Sequence, residues 1–176
     1  MKRELQGKIL DILSACVDMT IATMGPDGAP HATVVSFVHD GLLIYFGCAA
    51  GSQKATDIAR DPRVSITVTP PYANWMEIKG LSMSGTAAPV TTEGEIGKAG
   101  KLMLDRFEML SSMPIFDEAS VRLFRVKPQI VSILDYTKGF GHTDVVRVGA
   151  DDIAQTHETM RHHWLLAQKP QGAGKP

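Results

Sequence analysis

A short segment near the middle of the chain has the residue types that a phosphate-binding site needs. The run FGCAAGSQKATDIARDPR occupies positions 46–63. Its small residues let a ligand approach the backbone, and Ser52 and Lys54 follow directly. If a helix begins here, its first N–H groups have no intrahelical partner and carry partial positive charge, which suits an anion. Ser52 then adds a hydroxyl donor and Lys54 a compact cation.

The same two residues also have a purely structural interpretation. Ser52 can be only the N-cap of the helix, and Lys54 only a solvated helix residue. Short motifs match by chance often, so the motif taken alone favours this second interpretation.

The histidines and cysteines give weaker signals. His157 and His162 resemble the zinc motif HExxH, but they are five positions apart and so lie about 140° apart on a helix. They therefore do not converge on one metal ion, and no metal site is predicted. His142, in the Gly-rich loop KGFGH, can contact a bound ring, and an ordinary loop is an equal alternative. Cys48 has no second cysteine nearby, which favours a small core residue.

Hydrophobic periodicity predicts the elements that position these residues. Helices are predicted at 2–15, 53–60 and 92–110. The last of these has an inner stripe of Ile96, Ala99, Leu102, Met103 and Phe107. Strands are predicted at 18–24, 31–38, 42–48, 63–69, 75–90, 120–126 and 129–136. The strand over 75–90 is expected to bend at Gly80 and Gly85, and Lys127-Pro128 is expected to form a turn between the last two strands.

The order of these elements predicts the fold class. Too few strands are followed by crossover helices for a doubly wound α/β fold. The prediction is a mainly β protein, a six- to seven-stranded antiparallel barrel, closed or half-closed, with peripheral helices. This barrel domain is assigned to residues 1–150, and residues 151–176 are assigned to a C-terminal helix and flexible tail.

Composition excludes several classes of protein. The chain has 176 residues, of which 44% are hydrophobic, as expected for one soluble domain. Its longest uncharged stretches are too short and too broken by Gly and Pro to cross a membrane. Eighteen basic and 19 acidic residues, without a basic cluster, do not indicate nucleic-acid binding. Two cysteines without a CxxC motif, and no signal-peptide pattern, predict a reduced, cytoplasmic protein.

Residues 25–68 resemble a known family. A Gly-x-Pro-x turn enters a strand, a second apolar strand follows, and Gly-Ser-x-Lys opens a short helix that ends in Asp-Pro-Arg-Val. Four elements in this order and spacing resemble the flavin-binding split β-barrel of the pyridoxamine 5′-phosphate oxidase-like superfamily. The resemblance covers residues 18–90 well and the later strands loosely.

The resemblance implies a homodimer with two identical FMN sites at the subunit interface. It implies an FMN-dependent oxidoreductase or flavin electron carrier, in which the flavin performs the electron or hydride chemistry for a small-molecule substrate or an electron-transfer partner. Carried over by position, one strand lines the flavin ring, the next strand continues the site and the Gly-Ser-x-Lys segment holds the phosphate. These residues are Thr33, Val34, Val35 and Ser36, then Gly47 and Cys48, then Ser52, Gln53 and Lys54.

The chain also departs from the name-giving oxidase of that superfamily. The oxidase has Arg where this chain has Thr33, Lys where it has Val38, and Arg where it has Gln53. The Arg/His cluster that holds the substrate phosphate in the oxidase is not recognisable, so oxidation of pyridoxamine phosphate is not predicted. The alternatives are a haem-binding or haem-handling protein that uses His142, a deazaflavin-dependent reductase, or a dimeric binding module without a cofactor. Contacts from the partner subunit are expected from 75–81 or from 138–142.

Overall fold

A computed structural model describes residues 1–112 and 120–156 of the chain. Its helices are α1 (Arg3–Ala15), α2 (Gln53–Arg60) and α3 (Glu93–Arg106), and residues 150–156 are also helical. Its strands are β1 (Asp18–Met24), β2 (Pro30–Asp40), β3 (Leu43–Ala49), β4 (Arg63–Val68), β5 (Lys79–Pro89), β6 (Val121–Asp135) and β7 (Thr143–Arg147). Short 3-10 turns lie at Trp75–Glu77, Glu108–Ser112 and Tyr136–Lys138.

The strands form one antiparallel sheet in the order β3-β2-β1-β4-β5-β6-β7. β3 also pairs with β6, from Ile44 opposite Val126 to Ala49 opposite Val121, and this pairing closes the first six strands into a barrel. β7 pairs only with β6 and lies outside the closed ring. The predicted mainly β antiparallel barrel is confirmed.

Two apolar clusters hold the barrel and its helices together. The larger one contains Phe37 and the stacked pair Phe46 and Phe124, whose ring centroids are 5.3 Å apart. The helix α1 contributes Ile9, Ile12 and Leu13 to this cluster, and α2 contributes Ala55 and Ile58. The smaller cluster contains Val38, Tyr45, Val90 and Ala99, and it attaches α3 to the outer side of β2 and β3.

The barrel opens between β2 and β3. Their pairing joins Phe37–Asp40 to Leu43–Phe46 and stops there. Beyond this point β2 stays paired with β1 as far as Pro30, while β3 stays paired with β6 as far as Ala49. The two strands therefore separate after Phe37 and Phe46, and the chain turns from the end of β3 directly into α2.

The predicted turn at Lys127-Pro128 is wrong, because β6 runs through it without interruption. Pro128 lies opposite Gly85, where the register between β5 and β6 shifts at a bulge. A bulge tolerates a residue without a backbone N–H, so proline does not end this strand. Gly85 is required here, since a Cβ atom on it would lie 2.3 Å from the Lys127 carbonyl oxygen.

Three further details differ from the sequence-based expectation. The strand predicted from residue 75 begins at Lys79, after a 3-10 turn capped by the Asn74 side chain. The strand β7 was not predicted, because its five residues are too few for a clear period. Ile96, placed in the inner stripe of α3, is 40% exposed. Within the described ranges, no helix has the length and apolar character needed to cross a membrane.

Candidate functional site

The first turn of α2 has the geometry that the sequence suggested. Ser52 is its N-cap, and the Ser52 hydroxyl oxygen accepts a hydrogen bond from the Ala55 N–H at 3.4 Å. The N–H groups of Gln53 and Lys54 precede Ala55 and have no partner within the helix. Lys54 is half-buried and forms no ion pair in the described part of the chain, and Gln53 is exposed. The N-cap interpretation of Ser52 is confirmed, and a free cation and free donors remain beside it.

The strand residues predicted to line a flavin ring lie on two faces of β2. Val34 and Ser36 point outward: Val34 is 68% exposed, and the Ser36 hydroxyl donates to Asp18 at 2.7 Å. Thr33 and Val35 point inward, and Val35 packs against the barrel core. The two sets cannot contact the same side of one planar ring. The outward pair faces solvent, whereas the inward pair borders the opening between β2 and β3.

On the other side of the opening, β3 contributes Gly47 and Cys48. Cys48 is half-buried against the core, as the sequence favoured, and its Sγ accepts a hydrogen bond from the Ser52 hydroxyl at 3.4 Å. The structure thus brings Cys48 and Ser52 together. It separates Val34 and Ser36 from them.

One buried polar atom of β2, Thr33 Oγ1, lacks a hydrogen-bond partner among the described residues. His31 Nδ1 on the same strand also forms no hydrogen bond there, but it lies within ion-pair distance of the Asp57 carboxylate. Buried polar groups are nearly always hydrogen-bonded in native proteins. A polar ligand bound at the open edge of the barrel would supply the missing partner of Thr33 Oγ1.

Sequence reasoning missed Asp57, which fixes α2 to the barrel. Its side chain is 1% exposed, and its Oδ2 accepts a hydrogen bond from the Thr23 hydroxyl of β1 at 2.9 Å. His31 Nδ1 of β2 lies 3.9 Å from the same oxygen, and Arg60 lies 3.7 Å from Oδ1. The available signal was its position between the apolar residues Ala55 and Ile58 on a short helix. A carboxylate there has to be buried and partnered.

A second group of predicted residues lies where two loops meet. The backbone N–H of Tyr136 donates to the Ile78 carbonyl at 2.9 Å, so the segments 75–81 and 138–142 are neighbours. Trp75 and Phe140 on these loops are 69% and 72% exposed. Gly139 and Gly141 take positive φ values of 135° and 78°, which L side chains rarely adopt.

His142 in this loop has a carboxylate partner. Its Nε2 lies 3.3 Å from Asp144 Oδ2, and Lys138 Nζ lies 3.1 Å from the same oxygen. The hydrogen bonds from Lys138 and His142 lower the pKa of Asp144. In the tautomer that donates from Nε2 to Asp144, Nδ1 keeps a lone pair. A histidine held in this way can ligate a metal ion, but the described residues contain no group of three metal-ligating side chains.

The remaining histidine that can be placed in detail has a structural role. His39 packs near Ser14, with Nε2 at 3.0 Å from the Ser14 hydroxyl and Nδ1 at 3.1 Å from the Gly41 carbonyl. Burial is the main cause that lowers the pKa of His39, so its ring is neutral. His157 and His162, and the rest of the predicted C-terminal tail, lie outside the described residues.

Comparison with known proteins decides the family. A family model described as pyridoxamine 5′-phosphate oxidase matches residues 5–132. The chain belongs to this family. Among curated proteins, general stress protein 26 of Bacillus subtilis is 34% identical over 65 residues, which are 37% of this chain and 46% of that protein. The match therefore spans less than half the length of that relative.

Solved structures of other proteins share the fold. A heme-binding protein from Mycobacterium smegmatis superposes with a TM-score of 0.71 at 17% identity, over 90% of this chain and 62% of that one. HutZ, the heme storage protein from Vibrio cholerae, superposes with a TM-score of 0.60 at 19% identity, over 71% and 90% of the two chains. At identities of 17% and 19%, the similarity shows that these proteins share the fold.

Proposed function

We propose that this member of the pyridoxamine 5′-phosphate oxidase family binds FMN at a homodimer interface and acts as an oxidoreductase or flavin electron carrier. The observation that carries the proposal is the start of α2 beside the opening of the barrel. There, the half-buried Lys54 has no ion-pair partner in the described chain, and the first N–H groups of the helix are free. Membership of the family, shown by the match over residues 5–132, supports the same assignment.

The residues at the opening fit the parts of FMN. Lys54 and the N–H groups of Gln53 and Lys54 suit the phosphate. The unpaired Thr33 Oγ1 suits a polar atom between the phosphate and the ring. The separated edges of β2 and β3 present backbone groups and small side chains, such as Gly47, along which a flat ring can lie.

In this proposal the flavin supplies the electron or hydride transfer when it is bound. The protein binds the phosphate, orients the ring and contributes no acid or base that the structure identifies. The exposed Trp75 and Phe140 of the second subunit are the proposed contacts to the other side of the site. Deazaflavin cofactors also present a phosphate and a similar ring, so identification of the released chromophore distinguishes the two cofactors.

Replacement of Lys54 tests the phosphate assignment. We expect Lys54→Ala to weaken FMN binding about tenfold, because a charge-assisted contact to the phosphate is lost. The measurement is quenching of FMN fluorescence on titration with purified protein. Lys2→Ala, an exposed lysine at the start of α1, is the matched control for the loss of one charge. Equal affinities in the two variants and the wild type would exclude Lys54 from the site.

A gain of affinity gives an independent test. The name-giving oxidase has Arg where this chain has Gln53, and Gln53 is exposed, so the longer side chain fits without repacking. We expect Gln53→Arg to tighten FMN binding by severalfold, because it restores a cation at the first turn of α2. Riboflavin, which lacks the phosphate, is the control ligand, and its affinity is expected to stay constant. A similar gain for riboflavin would contradict a phosphate site here.

A second candidate function is heme binding on the same barrel. The specific observation is the contact between His142 and Asp144. The Nε2 atom of His142 lies against the Asp144 carboxylate, so its Nδ1 atom stays available to ligate the heme iron. Two structural neighbours are described as heme-binding and heme storage proteins. Titration with heme, followed by the Soret band, tests this candidate. A stoichiometric band that His142→Ala abolishes would support it, and a band of unchanged shape and affinity in that variant would exclude His142 as the ligand.

A further inference from the structure

We propose that Arg122 of β6 is the second cation of the anion site at the start of α2, and that it makes the site prefer a flavin that carries a phosphate. The inference rests on the proposed function, because it adds a residue to the same site. It concerns a strand far from the Gly-Ser-x-Lys segment in the sequence.

The pairing of β3 with β6 places Arg122 beside this site. Arg122 lies directly opposite Cys48. Opposite residues on antiparallel strands project to the same face of the sheet, with Cβ atoms about 4.5–5.5 Å apart. Cys48 Sγ in turn accepts the hydrogen bond of the Ser52 hydroxyl at 3.4 Å, and Ser52 is the N-cap of α2. The chain of contacts thus runs from Arg122 through Cys48 to the first turn of the helix.

A second contact fixes the same corner of the barrel. The N–H of Ala50, in the turn between β3 and α2, donates to the Ser120 carbonyl at 2.9 Å, immediately before β6 begins. The position of α2 relative to the start of β6 is therefore set by the backbone. Arg122 is exposed, so its long side chain is free to extend toward the helix start.

Three other arginines of the described chain have carboxylate partners, whereas Arg122 has none. Arg125 donates to both carboxylate oxygens of Glu95, at 2.8 and 3.0 Å, and Arg63 donates to Asp61 at 2.6 Å. Arg60 lies 3.7 Å from Asp57. Arg122 has no carboxylate partner among the described residues, and neither has Lys54. Two unneutralised cations thus lie at one end of the barrel, on β6 and on α2.

In this arrangement, Arg122 of β6 supplies a positive charge that the first turn of α2 lacks. At the position of Gln53 the name-giving oxidase has an Arg, and this chain has a neutral amide. A guanidinium pairs with two oxygens of one phosphate, whereas the Lys54 ammonium acts as a point charge. Together they balance a phosphate dianion. Riboflavin presents only a hydroxyl at that end and gains nothing from Arg122.

The test compares FMN with riboflavin in matched variants of the full chain. The variants are Arg122→Gln, Arg122→Lys and the control Lys127→Ala, an exposed lysine on the same strand. Fluorescence quenching gives both affinities, and circular dichroism confirms that each variant is folded. We expect Arg122→Gln to weaken FMN binding about tenfold and to leave riboflavin binding unchanged. Arg122→Lys should retain part of the FMN affinity, and Lys127→Ala should retain all of it.

A parallel titration with inorganic phosphate separates this proposal from the proposed function. Amide shifts of Gln53 and Lys54 in nuclear magnetic resonance spectra report the anion directly. If wild-type protein binds phosphate but not FMN, and Arg122→Gln loses the phosphate response, the proposed function fails and the role of Arg122 stands. If Arg122→Gln matches Lys127→Ala with FMN and with phosphate, or if wild-type protein binds neither ligand, the proposal for Arg122 is overturned.

Discussion

Asp57 shows how one residue sets the position of the candidate site. It is almost fully buried, and its hydrogen bond with Thr23 joins α2 to β1. Arg60, one turn later on α2, also donates to the Met24 carbonyl at the end of β1. Both links run from α2 to the same strand. The first turn of α2, with Ser52 and Lys54, is therefore held in place by residues of the second half of the helix.

We expect Asp57→Ala to lower the free energy of unfolding by about 1–3 kcal/mol, because the hydrogen bond of the Thr23 hydroxyl to a buried carboxylate is lost and only its longer contact with the His31 carbonyl oxygen, at 3.4 Å, remains. Asp57→Asn keeps an acceptor of the same shape and should cost less. The measurement is urea denaturation of both variants and of Thr23→Val and the double mutant. A coupling energy of about 0.5–3 kcal/mol between positions 23 and 57 is expected.

Thr56→Ala, an exposed neighbour on α2, is the control. Additive effects at 23 and 57 would show that the hydrogen bond contributes nothing.

Which single residues the sequence reveals depends on whether their role is local. Ser52 is recognisable because an N-cap and its helix are contiguous, and the structure confirms the cap. The alternation of inward and outward residues along β2 was also recognisable. The sequence does not show which side of the sheet faces the core, so it cannot assign Thr33 to the inner face and Val34 to the outer face. Asp57 and Arg122 gain their roles from Thr23 on β1 and Cys48 on β3, and no local pattern announces such partners.

At the scale of elements, α3 is attached to the barrel by a polar contact within an apolar cluster. The Tyr45 hydroxyl of β3 donates to Glu95 Oε1 at 3.1 Å, and Arg125 of β6 holds both Glu95 oxygens. Burial first, and then the charge of Glu95, raises the pKa of Tyr45 to about 12. Tyr45 therefore stays protonated at ordinary pH and remains a donor. One carboxylate on α3 thus connects the helix to two strands.

Replacement of Glu95 tests this attachment. We expect Glu95→Ala to lower the free energy of unfolding by about 1–3 kcal/mol, since it leaves the Tyr45 hydroxyl buried without an acceptor. The control is Glu93→Ala, an exposed acidic residue of the same first helical turn. Urea denaturation gives the stability, and hydrogen exchange of α3 amides reports local opening. Equal stabilities of the two variants would mean that the Glu95 contacts do not hold α3, and that its apolar cluster and its other polar contacts do.

Elements with a long, regular pattern were predicted well, and irregular ones were not. β1 and α2 have the predicted bounds, because alternation and the flanking turn residues agree there. The strand β6 was divided at Lys127-Pro128, since proline normally interrupts a ladder. Its continuity depends on Gly85 of β5, which allows a bulge opposite Pro128. That pairing joins residues more than 40 positions apart and leaves no local signal.

The whole molecule presents an uncharged row across the outer face of its sheet. Register places Val34 beside Thr20, Thr20 beside Thr67, Thr67 beside Ser82, Ser82 beside Ser132, and Ser132 beside Val145. The row crosses six strands without a charge, and its two ends are exposed valines. Protein interfaces are depleted of charged residues at their core, and this row shares that feature. The closure of the barrel, by contrast, depends on the pairing of β3 with β6, which follows from neither strand alone.

We propose that the homodimer forms through this row, and a charge at the centre of the row tests the assembly. Ser82 is exposed, so Ser82→Arg should leave the barrel folded but place a guanidinium in the interface, where an unpaired charge is costly. We expect wild-type protein to sediment at twice the 19.1 kDa of one chain and the variant at 19.1 kDa. Thr91→Arg, an exposed position just before α3, controls for the added charge.

The same variant also tests where the cofactor lies. If FMN is held between two subunits, as proposed, Ser82→Arg loses FMN affinity together with dimerisation, although none of the phosphate-binding residues has changed. A monomeric variant that binds FMN as tightly as the wild type would place the whole site within one chain. A variant that remains dimeric would exclude this row as the interface, because one arginine per subunit would face its symmetry mate across a twofold contact.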